Sequence, residues 1–293
     1  MNGTIAWDDF QRERIETDHG PLLVRSAGAG RPLLLLHGFP QTGHTFRLTA
    51  PALTDQYRVI VPDLPGYGAS PGPVADDSGA PFDRRSVAHS LAAMMTALGH
   101  DRFLLVGHDR GARAAYRLAL DFPEKVAGLV SIDTVPTVAV WEAMTYRSAN
   151  HAFHWPLLAQ PAPLVEAILR QASDDLIGHL LERWAGTPLT ADATRRYLEA
   201  YRKPSVQAGA AADYRAGAGL DLDADRADRA AGRKLACPLL VPYGTGYTTT
   251  DPEPDWRIFA DDIRTIPIDC GHFVQEEAPD ALIPVLRTFL QSV

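Results

Sequence analysis

The stretch VGHDRGARAAY at residues 106–116 decides the fold. Just upstream, RFLLVG at 102–107 is almost continuously apolar, as a central parallel strand covered on both faces should be. Downstream, ARAAYRLALDFP spaces its Ala, Leu and Tyr residues as a helix does and ends on a proline. Between the two, Gly107 and Gly111 frame Asp109 in a tight strand-to-helix turn. A second apolar run, GLVSID at 128–133, follows. Strand, turn, helix and strand make a βαβ unit, which predicts a mostly parallel α/β sheet with helices on both faces.

Working outward, PLLVRS at 21–26, LLLL at 33–36 and RVIV at 58–61 read as earlier strands bounded by Gly, Pro or polar turns. From 136 to 222 the pattern changes to helical segments such as PLVEAILRQA, DLIGHLLERWA and ADATRRYLEAYR. CPLLVPYG and DDIRTIPI then regain strand character, before CGHF and a last helix, PDALIPVLRTFLQSV. The division expected is a first core segment (1–135), an inserted helical cap (136–222) and a second core segment (223–293). Such an insertion makes a lid over the carboxyl edge of the sheet, where open α/β sheets bind ligands. RAGAGLDLDADRADRAAGRK is expected to be a solvated connection leaving the cap.

With 293 residues, 46% of them hydrophobic, the chain supports one large core plus an insertion better than two independent domains. The net charge of −8, without a basic run, argues against nucleic acid as a partner. It also repels anions at long range, so an anion site must be local, which draws attention to Arg110 and Arg113. Cys237 and Cys270 show neither disulfide nor zinc spacing, so no metal is expected. MNGTIAWDDFQRERIE has no signal-peptide pattern, and no run approaches the roughly 18 apolar residues of a spanning helix, so a soluble cytoplasmic protein is expected.

Four segments fall on one sheet edge: HGFPQT at 37–42, GHDRG at 107–111, Asp133 at a strand end, and GHF at 271–273. A nucleophile on an elbow, an acid and a late histidine give the chain order of the α/β-hydrolase triad, with Asp109 in the usual serine's place. A carboxylate, with an ordinary pKa of about 3.9, attacks without losing a proton first. It suits a saturated carbon bearing a leaving group, and displacement there leaves an alkyl ester of Asp109. His272 is then free to activate water against that ester, with Asp133 holding the imidazole. The backbone N–H groups of Phe39 and Arg110 are the candidate oxyanion donors. Asp251 and Asp255, after the strand CPLLVPYG, compete with Asp133 as triad acid. Asp133 is preferred because it directly ends its strand.

HGFPQT, DLPGYGAS, GHDRGARAAYRLALDFPEKV, HWPLLAQP, DYRAGAG and CGHFVQEEAP together resemble the haloacetate (fluoroacetate) dehalogenases of the α/β-hydrolase superfamily, over most of residues 20–290. The resemblance implies Asp109 as nucleophile, His272 as base and Asp133 as its partner. It also implies that Arg110 and Arg113 grip a substrate carboxylate, and that His154, Trp155 and Tyr214 receive the halide. It implies no cofactor and suggests a homodimer. Two guanidinium groups suit a carboxylate, and indole, phenol and imidazole donors suit fluoride. The chain departs from the family's loop pattern at Pro65 and Ala69.

Hydrolysis of a short 2-haloacid to the 2-hydroxy acid is therefore the leading expectation. Epoxide hydrolysis uses the same nucleophile with paired cap tyrosines, for which Tyr146, Tyr197, Tyr201 and Tyr214 are available, though the arginine pair has no task there. A non-catalytic ligand-binding relative is the third alternative.

Overall fold

Alternation along the central strands builds two cores. Leu34, Leu36 and Leu105 enter one apolar cluster, while Leu33, Leu35, Leu104 and Val106 enter the other. The computed structural model describes residues 4–293. The strands are β1 (Gln11–Ile15), β2 (Leu22–Ala27), β3 (Arg31–Leu36), β4 (Tyr57–Pro62), β5 (Phe103–His108), β6 (Val126–Ile132), β7 (Leu239–Gly244) and β8 (Ile263–Ile268). Among the described residues they form one eight-stranded sheet in the order β1-β2-β4-β3-β5-β6-β7-β8. β1 and β2 pair antiparallel, as do β2 and β4, and the remaining pairs are parallel.

Helix α1 (Arg84–Ala97) starts at Asp83, whose side chain accepts the Ser86 N–H, and it covers one face with Val87, Leu91 and Met94. Helix α2 (Arg110–Asp121) joins it there through Ala114, Ala115 and Leu118. Between β6 and β7 come α3 (Thr137–Glu142), α4 (Tyr146–His151), α5 (His154–Leu158), α6 (Leu164–Trp184), α7 (Ala191–Tyr201), α8 (Pro204–Ala218) and α9 (Leu220–Ala230). After β7 come α10 (Glu253–Trp256), α11 (Val274–Glu277) and α12 (Pro279–Ser292), the last placing Leu282, Leu286 and Phe289 in the second core. No helix among the described residues is long and apolar enough to cross a membrane.

Two features depart from the sequence expectation. QRERI pairs in register with β2 as an edge strand, although it carries no apolar alternation beyond Ile15. The Ala/Asp/Arg-rich segment expected to be a solvated connection instead contains the end of α8 and all of α9, with Asp221, Leu222, Asp225 and Asp228 buried. The reason lies on α2. Arg110, Arg113 and Arg117 recur at helical spacing and are all buried. Arg117 pairs with Asp225 at 3.1 Å and Asp228 at 2.5 Å, and Arg110 pairs with Asp213 on α8. Buried cations need such partners, and the acidic helix supplies them.

Candidate active site

Asp109 sits where β5 ends and α2 begins, at φ 48° and ψ −116°, a conformation non-glycine residues rarely adopt. Its flanking glycines make the turn possible. A Cβ on Gly107 would stand 2.5 Å from Ala112 Cα, and one on Gly111 would collide with the carbonyls of Leu36 and His37. One carboxylate oxygen, Oδ1, accepts the Phe39 N–H at 2.8 Å. The other, Oδ2, lies 4.0 Å from His272 Nε2, outside direct hydrogen-bond reach. The first N–H of α2, that of Arg110, follows Asp109 directly and, as at any helix start, has no intrahelical acceptor.

His272 donates its Nδ1–H to Asp133 Oδ2 at 2.6 Å, while Asp133 Oδ1 accepts the Gly244 N–H at 3.0 Å. Asp251 instead accepts the Glu253 N–H and the Thr265 hydroxyl. Asp255 reaches the cavity wall and is held above the usual carboxylate range by burial, without a bond to His272. Of the three candidate acids, Asp133 is therefore the one the fold brings to the imidazole. Burial works against protonating His272, but the hydrogen bond and charge of Asp133, with Asp109, outweigh it and raise the pKa above 6.5. Burial likewise opposes ionisation of Asp109, yet the groups around it, His272 foremost, then His108, Arg113 and Arg110, hold it below the usual range.

A cavity of about 310 Å³ opens onto Asp109, Asp133 and His272. Its wall includes Arg113, His154, Trp155, Trp184, Tyr247 and the run Thr248–Thr250. Arg113 donates Nη1–H to Val135 O at 2.8 Å and lies 4.6 Å from the Trp155 ring. Unlike Arg110 and Arg117, it has no carboxylate partner among the described residues closer than ion-pair range. Arg110 does not line the cavity. It is fully buried, gives Nη2–H to Asp213 O at 2.7 Å and to the Asp213 carboxylate, and shares that carboxylate with Arg84. Its Nε and Nη1 have no hydrogen-bond partner among the described residues.

His154 and Trp155, both buried, come from α5. Burial drives the His154 pKa down to about 3, so the ring is neutral. Tyr214, on α8, also lies outside the cavity wall but touches it, with its ring 5.8 Å from His154 and 6.0 Å from Trp155. Burial raises its phenol well above the ordinary range, so it remains a donor. Of the four tyrosines weighed as acids, Tyr146 is 78% exposed and Tyr197 is committed to Glu276 at 2.5 Å. Tyr201 is buried, its hydroxyl without a partner among the described residues and its ring 5.7 Å from Phe39.

This arrangement can be set against known proteins. Residues 31–279 match the family model described as the alpha/beta hydrolase fold. The chain belongs to the α/β-hydrolase family. Within it, the chain is similar to a fluoroacetate dehalogenase from Burkholderia sp, 33% identical over 290 residues, which span 97% of this chain and 95% of that protein. A soluble epoxide hydrolase from Corynebacterium sp. (strain C12) is 28% identical over 271 residues, 90% of this chain and 91% of that one. A Pseudomonas aeruginosa crystal structure, provisionally described as an epoxide hydrolase, is 38% identical and superposes with a TM-score of 0.92 over 98% of this chain and 97% of that chain.

For this α/β hydrolase the sequence missed three site residues. Trp184 closes α6 and places its ring 4.6 Å from His154 and 5.6 Å from His272. Tyr247 lies against His272 at 4.4 Å between ring centroids. Asp213 holds Arg110 from 103 residues away. The segment GTGYTTT after a core strand is a usable signal for Tyr247, whereas Trp184 ends a helical run in which nothing local sets it apart from a packing aromatic.

Proposed function

We propose that this hydrolase converts a short 2-haloacid to the 2-hydroxy acid and halide through an alkyl ester of Asp109, with the inserted helices from 136 to 222 as its cap. The observation that carries this reading is Arg113: a buried cation on the cavity wall, one turn from the nucleophile, with no carboxylate among the described residues paired to it. A desolvated guanidinium in that setting favours a ligand that brings its own carboxylate. Arg110, with two unpartnered nitrogens behind the wall, reinforces the same field.

The two oxygens of Asp109 then divide the work. Oδ2 attacks the carbon that bears the halogen, and the halide leaves toward Trp155 Nε1–H, His154 and Tyr214. Oδ1 becomes the carbonyl oxygen of the ester and already accepts the Phe39 N–H, which together with the Arg110 N–H stabilises the oxyanion of the second step. His272 takes a proton from water as that water attacks Cγ, and Asp133 balances the imidazolium. The intermediate collapses with cleavage of the bond from Cγ to the substrate oxygen, and His272 returns its proton to that oxygen, so the 2-hydroxy acid departs and Asp109 is regenerated with one oxygen from water.

Tyr201 favours a second reading, epoxide hydrolysis, because its buried hydroxyl is uncommitted and relatives include epoxide hydrolases. Halide release from fluoro-, chloro- and bromoacetate, measured beside diol formation from styrene oxide, tests both. Halide without diol is the expected result, and diol without halide overturns it.

A further inference from the structure

Glu277, the last residue of α11, is engaged in a way the chemistry so far does not use. Its Oε2 accepts three backbone N–H groups, from Gly186 at 2.8 Å, Thr187 at 2.9 Å and Gly271 at 2.9 Å. Its Oε1 accepts a fourth, from Phe273 at 2.9 Å. Gly271 and Phe273 are the neighbours of His272 on either side. Gly186 and Thr187 belong to the chain leaving α6, whose Trp184 carbonyl accepts the His272 N–H at 2.9 Å. One carboxylate thus ties both peptides around the histidine to the inserted helices. The two strands of chain lie so close that a Cβ on Gly186 would stand 2.7 Å from Gly271 N and 3.2 Å from Glu277 Oε2, and one on Gly271 would collide with Gly186 N.

We propose that Glu277 is a positioning residue for the second half-reaction: it fixes the loop that aims His272 Nε2 at the Asp109 ester, and locks that loop to the end of α6. This inference rests on the ester reading of the site. Four charge-assisted hydrogen bonds from rigid peptide groups define one placement of the loop, and they do so without contact to substrate. Alkylation of Asp109 needs no base, so it does not depend on this placement. Hydrolysis of the ester does, because a misplacement of about 1 Å can cost about a hundredfold.

The test uses Glu277→Gln and Gly186→Ala in the full chain. A glutamine can still accept three N–H groups with its oxygen, but it turns an NH2 toward the Phe273 N–H and loses the charge. The alanine separates the two segments while leaving the Glu277 side chain and its charge in place, although its Cβ meets both Gly271 N and Glu277 Oε2. With chloroacetate, both variants are expected to release one equivalent of halide per enzyme at the native single-turnover rate. Steady-state kcat should then fall about tenfold to a hundredfold, with the alkyl group retained on the Asp109 peptide in mass spectrometry. Equal slowing of both steps, or native kcat in both variants, overturns the proposal. A second measurement needs no substrate: the low-field proton resonance of His272 Nδ1–H, bonded to Asp133, should be displaced or broadened in both variants. If the native protein releases no halide, the ester reading fails on its own, and the resonance still decides on Glu277. An unchanged resonance in both folded variants overturns the positioning role.

Discussion

Asp109 and Asp133 share a positive φ: both stand at 48°, alone among the described non-glycine residues in being positive, and they flank His272 from opposite sides. Each ends a parallel strand, β5 and β6, where the chain must turn sharply to present its carboxylate at the sheet edge. Such conformations cost on the order of 1–3 kcal/mol each and persist only because the surrounding packing fixes them. Replacing Asp109 by Gly should therefore raise stability by about 1 kcal/mol or more while abolishing halide release, read as the urea midpoint and the halide assay. Asp109→Asn should abolish turnover too, without relieving the strain.

The geometry at Asp133 predicts a different failure. Asp133→Asn leaves the turn and the Gly244 contact in place but removes the charge that orients and balances His272. The first half-reaction should survive while ester hydrolysis slows by about 10²–10⁴-fold. Mass spectrometry of the Asp109 peptide after one turnover should find the alkyl group still attached.

The pH dependence follows from the raised pKa of His272. Below that pKa the imidazole is protonated and cannot accept a proton from water, so kcat should rise with pH through an apparent pKa above 6.5. Asp109, held below the usual carboxylate range, should impose no limb near neutrality. For stability the sign is opposite. A group whose folded pKa is raised contributes stability below its unfolded value and loses it as pH rises through the folded one. His272 therefore stabilises the fold most on the acid side, where it is inactive, and urea midpoints across this window should decline as kcat climbs.

The two arginines near the nucleophile should respond differently to loss of charge. If Arg113 holds the substrate carboxylate as proposed, Arg113→Ala is expected to raise KM about tenfold to a hundredfold with little change in kcat or stability. Arg110→Met should instead destabilise the fold by about 3–5 kcal/mol, because it leaves the buried Asp213 carboxylate without one of its two cations. Urea melts of the two variants side by side check this contrast.

At Trp155, replacement by Phe keeps an aromatic wall against Arg113 but removes the indole N–H. Fluoride depends most on strong donors, so fluoroacetate turnover should fall about tenfold more than bromoacetate turnover. Equal losses across the halides would assign Trp155 to packing alone.

How far the sequence foretold this molecule depends on the range of each interaction. The apolar strands and the Gly107–Asp109–Gly111 turn are local patterns, so they were readable, as were Asp133 and His272 at the ends of apolar segments. QRERI was not, because an edge strand with charged residues on both faces lacks the alternation that marks a half-buried one. The acidic α9 was not, because its burial is decided by arginines on α2 more than 100 residues earlier, as the 108-residue separation of Arg117 and Asp225 illustrates. Arg110 was legible as a charge beside the nucleophile, but its tether to Asp213 was hidden for the same reason.

The helices between β6 and β7 leave those two strands joined by a short ladder, in which Leu129 and Val130 face Leu239 and Leu240. Everything that carries His272 lies beyond that seam, and the contact between His272 and Asp133 spans 139 residues of chain. Closing a loop of that length is entropically costly, and its reward comes only when both sides are already formed. The elbow at Asp109 closes within one local strand–turn–helix unit, whereas His272 meets Asp133 only across that span, so the two sides of the site depend on contacts of very different range.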